Sequence, residues 1–147
     1  MKSQIWMNLE GPPFVNTDNH YNPIDLSNSF LTKKTLPNQV SIQEGFNVEL
    51  FEVNKNLAFI KNFGNVAAFK DGTSALLIDT GMGVSSVQVV SKLKEWGIEN
   101  VDFIIYTHGH VDHVTGSEYI INAFENSNTE VIGHKNIVNR FDRYKKT

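Results

Sequence analysis

Residues 101 to 118 read Val101-Asp102-Phe103-Ile104-Ile105-Tyr106-Thr107-His108-Gly109-His110-Val111-Asp112-His113-Val114-Thr115-Gly116-Ser117-Glu118. Val101 to Tyr106 is apolar almost throughout, the pattern of a strand buried on both faces. Thr115-Gly116-Ser117-Glu118 opens a helix that carries Tyr119, Ile120, Ala123 and Phe124. Between strand and helix lie three of the chain's five histidines and one aspartate. A buried strand that runs into polar side chains and then a helix is one unit of a layered α/β domain. Groups at such a strand end are held by the sheet and remain open to a ligand.

Upstream, Val84, Val87, Val90, Leu93 and Trp96, with Val89 beside them, give one apolar face and predict a helix. Ser85-Ser86-Val87-Gln88 offers a capping box at its start and Gly97 a stop at its end. Before it, short apolar runs end in turns. The first holds Val48, Leu50, Phe51 and Val53 and closes at Asn54-Lys55-Asn56; the second is Leu57 to Lys61, the third Asn65 to Lys70 and the fourth Ala75 to Asp79. Asp71-Gly72 supplies the positive φ angles of a tight hairpin. These runs predict an antiparallel meander. Downstream, Glu130 to Gly133 reads as a short strand and Lys135 to Tyr144 as a helix with Ile137, Val138, Phe141 and Tyr144 on one face. The expected fold class is α/β, a mixed sheet covered by helices, over residues 46 to 147.

Residues 1 to 45 differ. They hold all four prolines, Pro12, Pro13, Pro23 and Pro37, among Asn, Ser, Thr and Asp. No helical or strand period is sustained, and an irregular leader is expected. The whole chain of 147 residues is 40% hydrophobic with a net charge of −3. That is enough apolar material for one core. It lacks the basic surplus that nucleic acid or anionic membrane would call for. No run approaches the roughly 20 apolar residues of a membrane span. No secretory signal is visible at the N-terminus, so the cytoplasm is the default expectation. The absence of cysteine excludes disulfides, thiolate metal sites and thiol catalysis.

Metal binding gives the histidine cluster a reason. His108 and His110 are two apart, so in extended chain both rings project to one side. Two imidazoles can then reach one ion at about 2.0–2.1 Å. Asp112 and His113 follow where the chain turns and can face a second ion, since two-metal hydrolytic sites hold their ions roughly 3.5–4 Å apart. Imidazole and carboxylate without thiolate suit zinc, and also iron or manganese. With five His and seven Asp in the chain, this spacing arises by chance at odds of roughly 3 in 10,000. His134, at a strand end, could serve as a further ligand or as a polar residue at a helix start; the second reading is preferred. His20 reads as a solvated turn histidine.

Thr107-His108-x-His110-x-Asp112-His113 resembles the signature loop of the metallo-β-lactamase superfamily. Ile78-Asp79-Thr80-Gly81 is similar to the family's strand-end Asp-Thr-Gly. Ile132-Gly133-His134-Lys135-Asn136 with Arg140-Phe141-Asp142-Arg143-Tyr144 resembles the alkylsulfatase-type branch. The resemblance spans roughly residues 46 to 145. It implies the first half of an αβ/βα sandwich, with two divalent metals, zinc foremost, at the sheet's upper edge. His108 and His110 would bind the first metal, and Asp112 and His113 the second. Asp79 would orient the loop. The implied activity is hydrolysis of an ester, thioester, lactone, amide or sulfate ester of a small molecule by metal-activated water, with Asp112 as the catalytic carboxylate. The family's later ligands are not met in this sequence. The reading is therefore the N-terminal half of such an enzyme, inactive alone. Its exposed sheet edge is open to self-association or to a complementing chain. A non-catalytic metal-binding or interaction unit of the same fold is the alternative.

Overall fold

The computed structural model describes residues 22–34, 36, 47–124 and 128–146. The chain divides into two units, residues 1–44 and 45–147. In the first unit, helix α1 spans Pro23–Leu31 where the sequence shows no sustained helical period. Local signals account for it. The Asn22 side chain accepts from the Ile24 backbone N–H at 2.9 Å, and Pro23 sits at the first helical position. No residue of α1 is buried. Pro12, Pro13, His20 and Pro37 lie outside the described residues.

The second unit is a six-stranded sheet in the order β1-β2-β3-β4-β5-β6. The strands are β1 (Glu49–Asn54), β2 (Leu57–Lys61), β3 (Val66–Asp71), β4 (Ser74–Ile78), β5 (Asn100–Ile105) and β6 (Glu130–Ile132). The first four pair antiparallel, and β5 and β6 are added in parallel. Each parallel addition needs a crossover. Helix α2 (Ser86–Glu95) makes the first, and α3 (Val111–Val114) with α4 (Ser117–Ala123) makes the second. Helix α5 (Ile137–Tyr144) follows β6. The expected α/β class and the meander both hold, and Gly72 takes φ +60 in the β3–β4 hairpin.

One face of the sheet carries the core. Ala58, Ile60, Val66, Ala68, Ala75, Leu77, Val101 and Ile104 pack there with Val89, Val90, Leu93 and Trp96 of α2 and Ile120 of α4. Each fully buried aliphatic side chain contributes about 1.5–3 kcal/mol. The other face is also apolar and is partly exposed. Phe51, Phe59, Ala67, Ile78, Ile105 and Ile132 align across it strand by strand, and Leu57, Phe69, Leu76 and Phe103 form a second row. Phe69 is 46% exposed and Phe103 39%.

Three local expectations need correction. β5 is buried on one face only: Val101 and Ile104 are buried while Asp102 and Phe103 are exposed. The register with β4 skips Asp102, which returns Ile104 to the core side. In α2 a spacing of three drifts off a 3.6-residue turn. Val84 and Val87 are therefore exposed, and the buried stripe is Val89, Val90, Leu93 and Trp96. The capping box does not form either. Ser85 Oγ donates instead to Asn62 Oδ1 and the Met82 carbonyl, tying α2 to the β2–β3 loop.

Candidate functional site

The strand ends converge on one carboxylate. β4 stops at Ile78 and delivers Asp79, which is 3% exposed, in a left-handed conformation with φ +61. Aspartate is among the few non-glycine residues that adopt this backbone readily. Asp79 N–H donates to the Ile105 carbonyl at 2.8 Å, which locks the end of β4 to the end of β5. The carboxylate then accepts three hydrogen bonds. Thr107 N–H donates to Oδ1 at 2.8 Å, Thr107 Oγ1 to Oδ2 at 2.6 Å, and His113 Nδ1 to Oδ2 at 2.8 Å. The next residue, Thr80, continues the lacing: its N–H and its hydroxyl both donate to the His113 carbonyl, at 2.8 and 3.0 Å.

These bonds set the proton positions on two imidazoles. The Thr107 hydroxyl proton is committed to Asp79, so His108 Nδ1, 3.0 Å from Thr107 Oγ1, is the donor to that oxygen. His113 Nδ1 donates to Asp79 directly. Both rings therefore turn Nε2 lone pairs away from Asp79. His108 Nε2 meets His110 Nδ1 at 2.8 Å, and His113 Nε2 meets Asp112 Oδ2 at 3.4 Å. The His108 ring lies 4.2 Å from that of His113, centroid to centroid, and 4.4 Å from that of His110.

The four side chains thus stand together as two donor pairs. No three His, Asp or Glu side chains among the described residues are arranged to hold one ion. The fit to divalent metal rests on the pairs. The first is a hydrogen bond when His110 carries its proton on Nδ1, and in each pair a cation can take the place of a proton between the two atoms. Two donors on a tetrahedral zinc lie about 3.3 Å apart. The Asp112–His113 pair is already at that separation, and the two histidines need to open by about half an ångström. The donor set, neutral imidazole and carboxylate, is one that zinc, iron and manganese accept.

A second wall of the site comes from α5. Phe141 packs edge-on against Tyr106 at 6.4 Å, and Ile137 lies against Gly133, seating the helix over the end of β5. This brings α5 onto the histidine loop at Gly109. A Cβ there would lie 3.3 Å from Ile137 Cγ2 and 3.4 Å from Arg140 Cδ, so glycine here eases helix contact more than it serves the turn itself. Tyr144 Oη donates to the Gly109 carbonyl at 3.1 Å and accepts from Arg140 Nε at 2.8 Å. His110 is held below the ordinary histidine range, first by loss of hydration and then by the Arg140 charge. This favours the neutral ring that a metal requires. Burial pushes the Tyr106 hydroxyl upward, against the opposing effect of its bond to Ser117. His134 sits in the turn before α5, where its Nδ1 accepts from the Asn136 N–H at 3.2 Å, in keeping with the helix-start reading.

Residues 60–146 match the family model described as the metallo-beta-lactamase superfamily. The chain belongs to that superfamily. Members are generally metal-dependent hydrolases, and the metal is often zinc. Among curated proteins the chain is 42% identical over 52 residues to ribonuclease Z of Clostridium kluyveri, covering 35% of this chain and 16% of that protein. Among solved structures it is similar to a HARLDQ-motif metallo-beta-lactamase of Cronobacter sakazakii, with 17% identity and TM-score 0.58, over 67% of this chain and 38% of the other. It is also similar to BJP-1, a subclass B3 metallo-beta-lactamase of Bradyrhizobium japonicum, with 21% identity and TM-score 0.51, over 62% and 35%. The chain thus spans little more than a third of the length of these two structures. At these identities the likeness speaks for the fold.

Sequence reasoning assigned no individual role to three residues that shape the loop, although Thr107 and Arg140 both lie in stretches it quotes. Thr107 carries the proton chain from His108 to Asp79, and its place inside the signature was a usable signal. Gly64, in the β2–β3 loop at φ +77, approaches so closely that a Cβ would fall 1.8 Å from the Asp112 carbonyl oxygen. Arg140 reaches the loop only through the packing of α5, and no local spacing announces that.

Proposed function

We propose that this chain carries the metal-binding loop of a hydrolase acting on a small molecule, an ester, thioester, lactone, amide or sulfate ester. His108 and His110 would hold one divalent ion, and Asp112 and His113 the other, with zinc the first candidate. The observation that supports this best is the pair of convergent donor sets whose outward Nδ1 atoms are tied to Asp79, that of His113 directly and that of His108 through the Thr107 hydroxyl. Outer partners of this kind orient metal-binding imidazoles. When bound, the metals would acidify water and polarise the scissile group. The protein's own part is to keep His108 and His113 in one tautomer, to shield the loop from behind with Asp79 and Thr80, and to place Asp112 where its carboxylate can take a proton from attacking water. Loop and carboxylate are built on rigid strand ends, as catalytic positioning requires.

Two donors per ion fall short of the three that catalytic zinc takes from protein. The remaining ligands would come from residues outside the described set or from a second chain. That shortfall also favours the second reading, a metal-binding unit without activity of its own. The likeness to ribonuclease Z adds a phosphodiester to the candidate ester classes, although a net charge of −3 offers no general attraction for RNA. The test is elemental analysis after zinc loading of the parent chain, His108→Ala and His110→Ala. Both substitutions should lower the bound zinc, and unchanged content in both would refute the assignment. Turnover of 4-nitrophenyl acetate and sulfate by the loaded parent separates enzyme from inert metal carrier.

A further inference from the structure

α5 brings one cation to the histidine loop, and the loop's own chemistry gives it no partner. Arg140 is fixed from three sides. Its aliphatic stem lies against Gly109, its Nε–H donates to Tyr144 Oη at 2.8 Å, and its guanidinium carbon stands 5.6 Å from the Tyr144 ring centroid. Tyr144 is anchored in turn to the Gly109 carbonyl. This arrangement occupies one of five guanidinium donors and leaves the terminal N–H groups to solvent. Among the described residues no carboxylate lies within ion-pair distance of Arg140. Lys145, at the end of the same helix, by contrast pairs with Asp142 at 3.6 Å.

A positive charge held beside residues suited to bind dications is unfavourable unless an anion is shared between them. A guanidinium is the side chain best shaped to grip a planar or tetrahedral oxyanion through two parallel N–H groups. We propose that Arg140 is a substrate-binding residue that docks an oxyanion group of the substrate, a carboxylate, sulfate or phosphate, beside the His108–His110 pair, with Tyr144 holding its guanidinium in place. The proposal rests on the hydrolase reading of the site and narrows its substrate class to anionic small molecules. Tyr144 is a positioning residue in this scheme. It fixes one edge of the guanidinium and the backbone of the loop with the same hydroxyl.

The experiment is an NMR titration of the full 147-residue chain with sodium phosphate, sulfate and acetate, read at the arginine Nε–H and histidine ring signals, with and without zinc. In the parent the Arg140 Nε–H and the His110 ring should shift together and saturate. Arg140→Gln should weaken that binding at least tenfold at unchanged zinc content. Arg143→Gln, on the same helix, should change it less than twofold. Arg140→Lys keeps the charge without the fork and should fall between. A response to acetate alone assigns a carboxylate, and a response to sulfate or phosphate assigns a tetrahedral oxyanion. Equal phosphate, sulfate and acetate affinities in parent and Arg140→Gln would overturn the proposal. So would a loss of zinc in Arg140→Gln, which would make the residue a strut for the loop. Failure of the parent to bind zinc defeats the hydrolase reading, while the metal-free titration still decides the role of the arginine.

Discussion

Replacing Asp79 by Asn tests the proton arrangement on which the site depends. The substitution preserves shape, and Asn tolerates the φ of +61 at this position as well as Asp does. One amide oxygen can still accept from Thr107 N–H. At the Oδ2 position an NH2 group now faces Thr107 Oγ1 and His113 Nδ1, both of which donate to the carboxylate in the parent. The hydroxyl must turn round, and His113 must give up its Nδ1 proton. The ring then carries its proton on Nε2, the atom that faces Asp112 at 3.4 Å, and loses the lone pair offered to a metal. Hydrogen bonds to a charged group contribute about 1.5–3 kcal/mol each, against about 1 kcal/mol for neutral ones, so converting three of them should cost about 1.5–6 kcal/mol of stability. Zinc affinity should fall 10–100-fold, the usual effect of removing an outer partner of a metal-bound histidine. Urea unfolding gives the first quantity, chelator competition the second, and long-range proton–nitrogen NMR the tautomer of His113. A variant that binds zinc like the parent, with the His113 proton still on Nδ1, would show that Asp79 does not set the tautomer.

Other predictions follow from separate contacts. Gly64→Ala puts a side chain at φ +77 against the Asp112 backbone and should cost about 2–4 kcal/mol in urea or thermal unfolding, with weaker zinc uptake; a loss under 1 kcal/mol would mean that the β2–β3 loop yields easily. Lys70 Nζ donates to the Trp96 carbonyl at 2.8 Å and sits 4.1 Å from the Trp96 ring centroid, capping the C-terminus of α2. Lys70→Met should therefore lower stability by about 1–2 kcal/mol with no effect on zinc binding. For metal-free protein, the His110 ring should titrate below about 6.5, the ordinary histidine value. A depressed folded-state value means that the folded chain takes up fewer protons than the unfolded one. The associated stability is intact above about 6.5 and is lost as pH falls through the folded value. Arg140→Gln should raise the His110 midpoint only part of the way, because lost hydration is the larger cause; an unchanged midpoint in an NMR titration would separate the two residues.

What the sequence disclosed and what it hid divide along one physical line. The meander, the crossover helices and the strand that ends in histidines were legible because their signals are local: a period, a turn dipeptide, a run of ligand types at tight spacing. The errors arose where a neighbour distant in sequence sets the outcome. Ser85 has the local makings of a helix cap, but Asn62 of the β2–β3 loop offers its side chain an acceptor, and the box is not made. Val87 fits an apolar stripe until the helix is turned by what Val90 and Leu93 bury. Gly109 looks like a residue that keeps a turn open, and only the approach of Ile137 and Arg140 shows that it makes room for another helix. The same distinction holds inside the site. His108, His110, Asp112 and His113 fall within six positions, so their chemistry could be read off directly. Which nitrogen of each ring is free depends on Asp79 and Thr107 meeting across two strand ends, and the proposed anion site depends on an arginine 30 residues further on than His110. The spacing of the candidate ligands is thus a local property of this chain, while their proton positions and the placing of Arg140 beside them are properties of its packing.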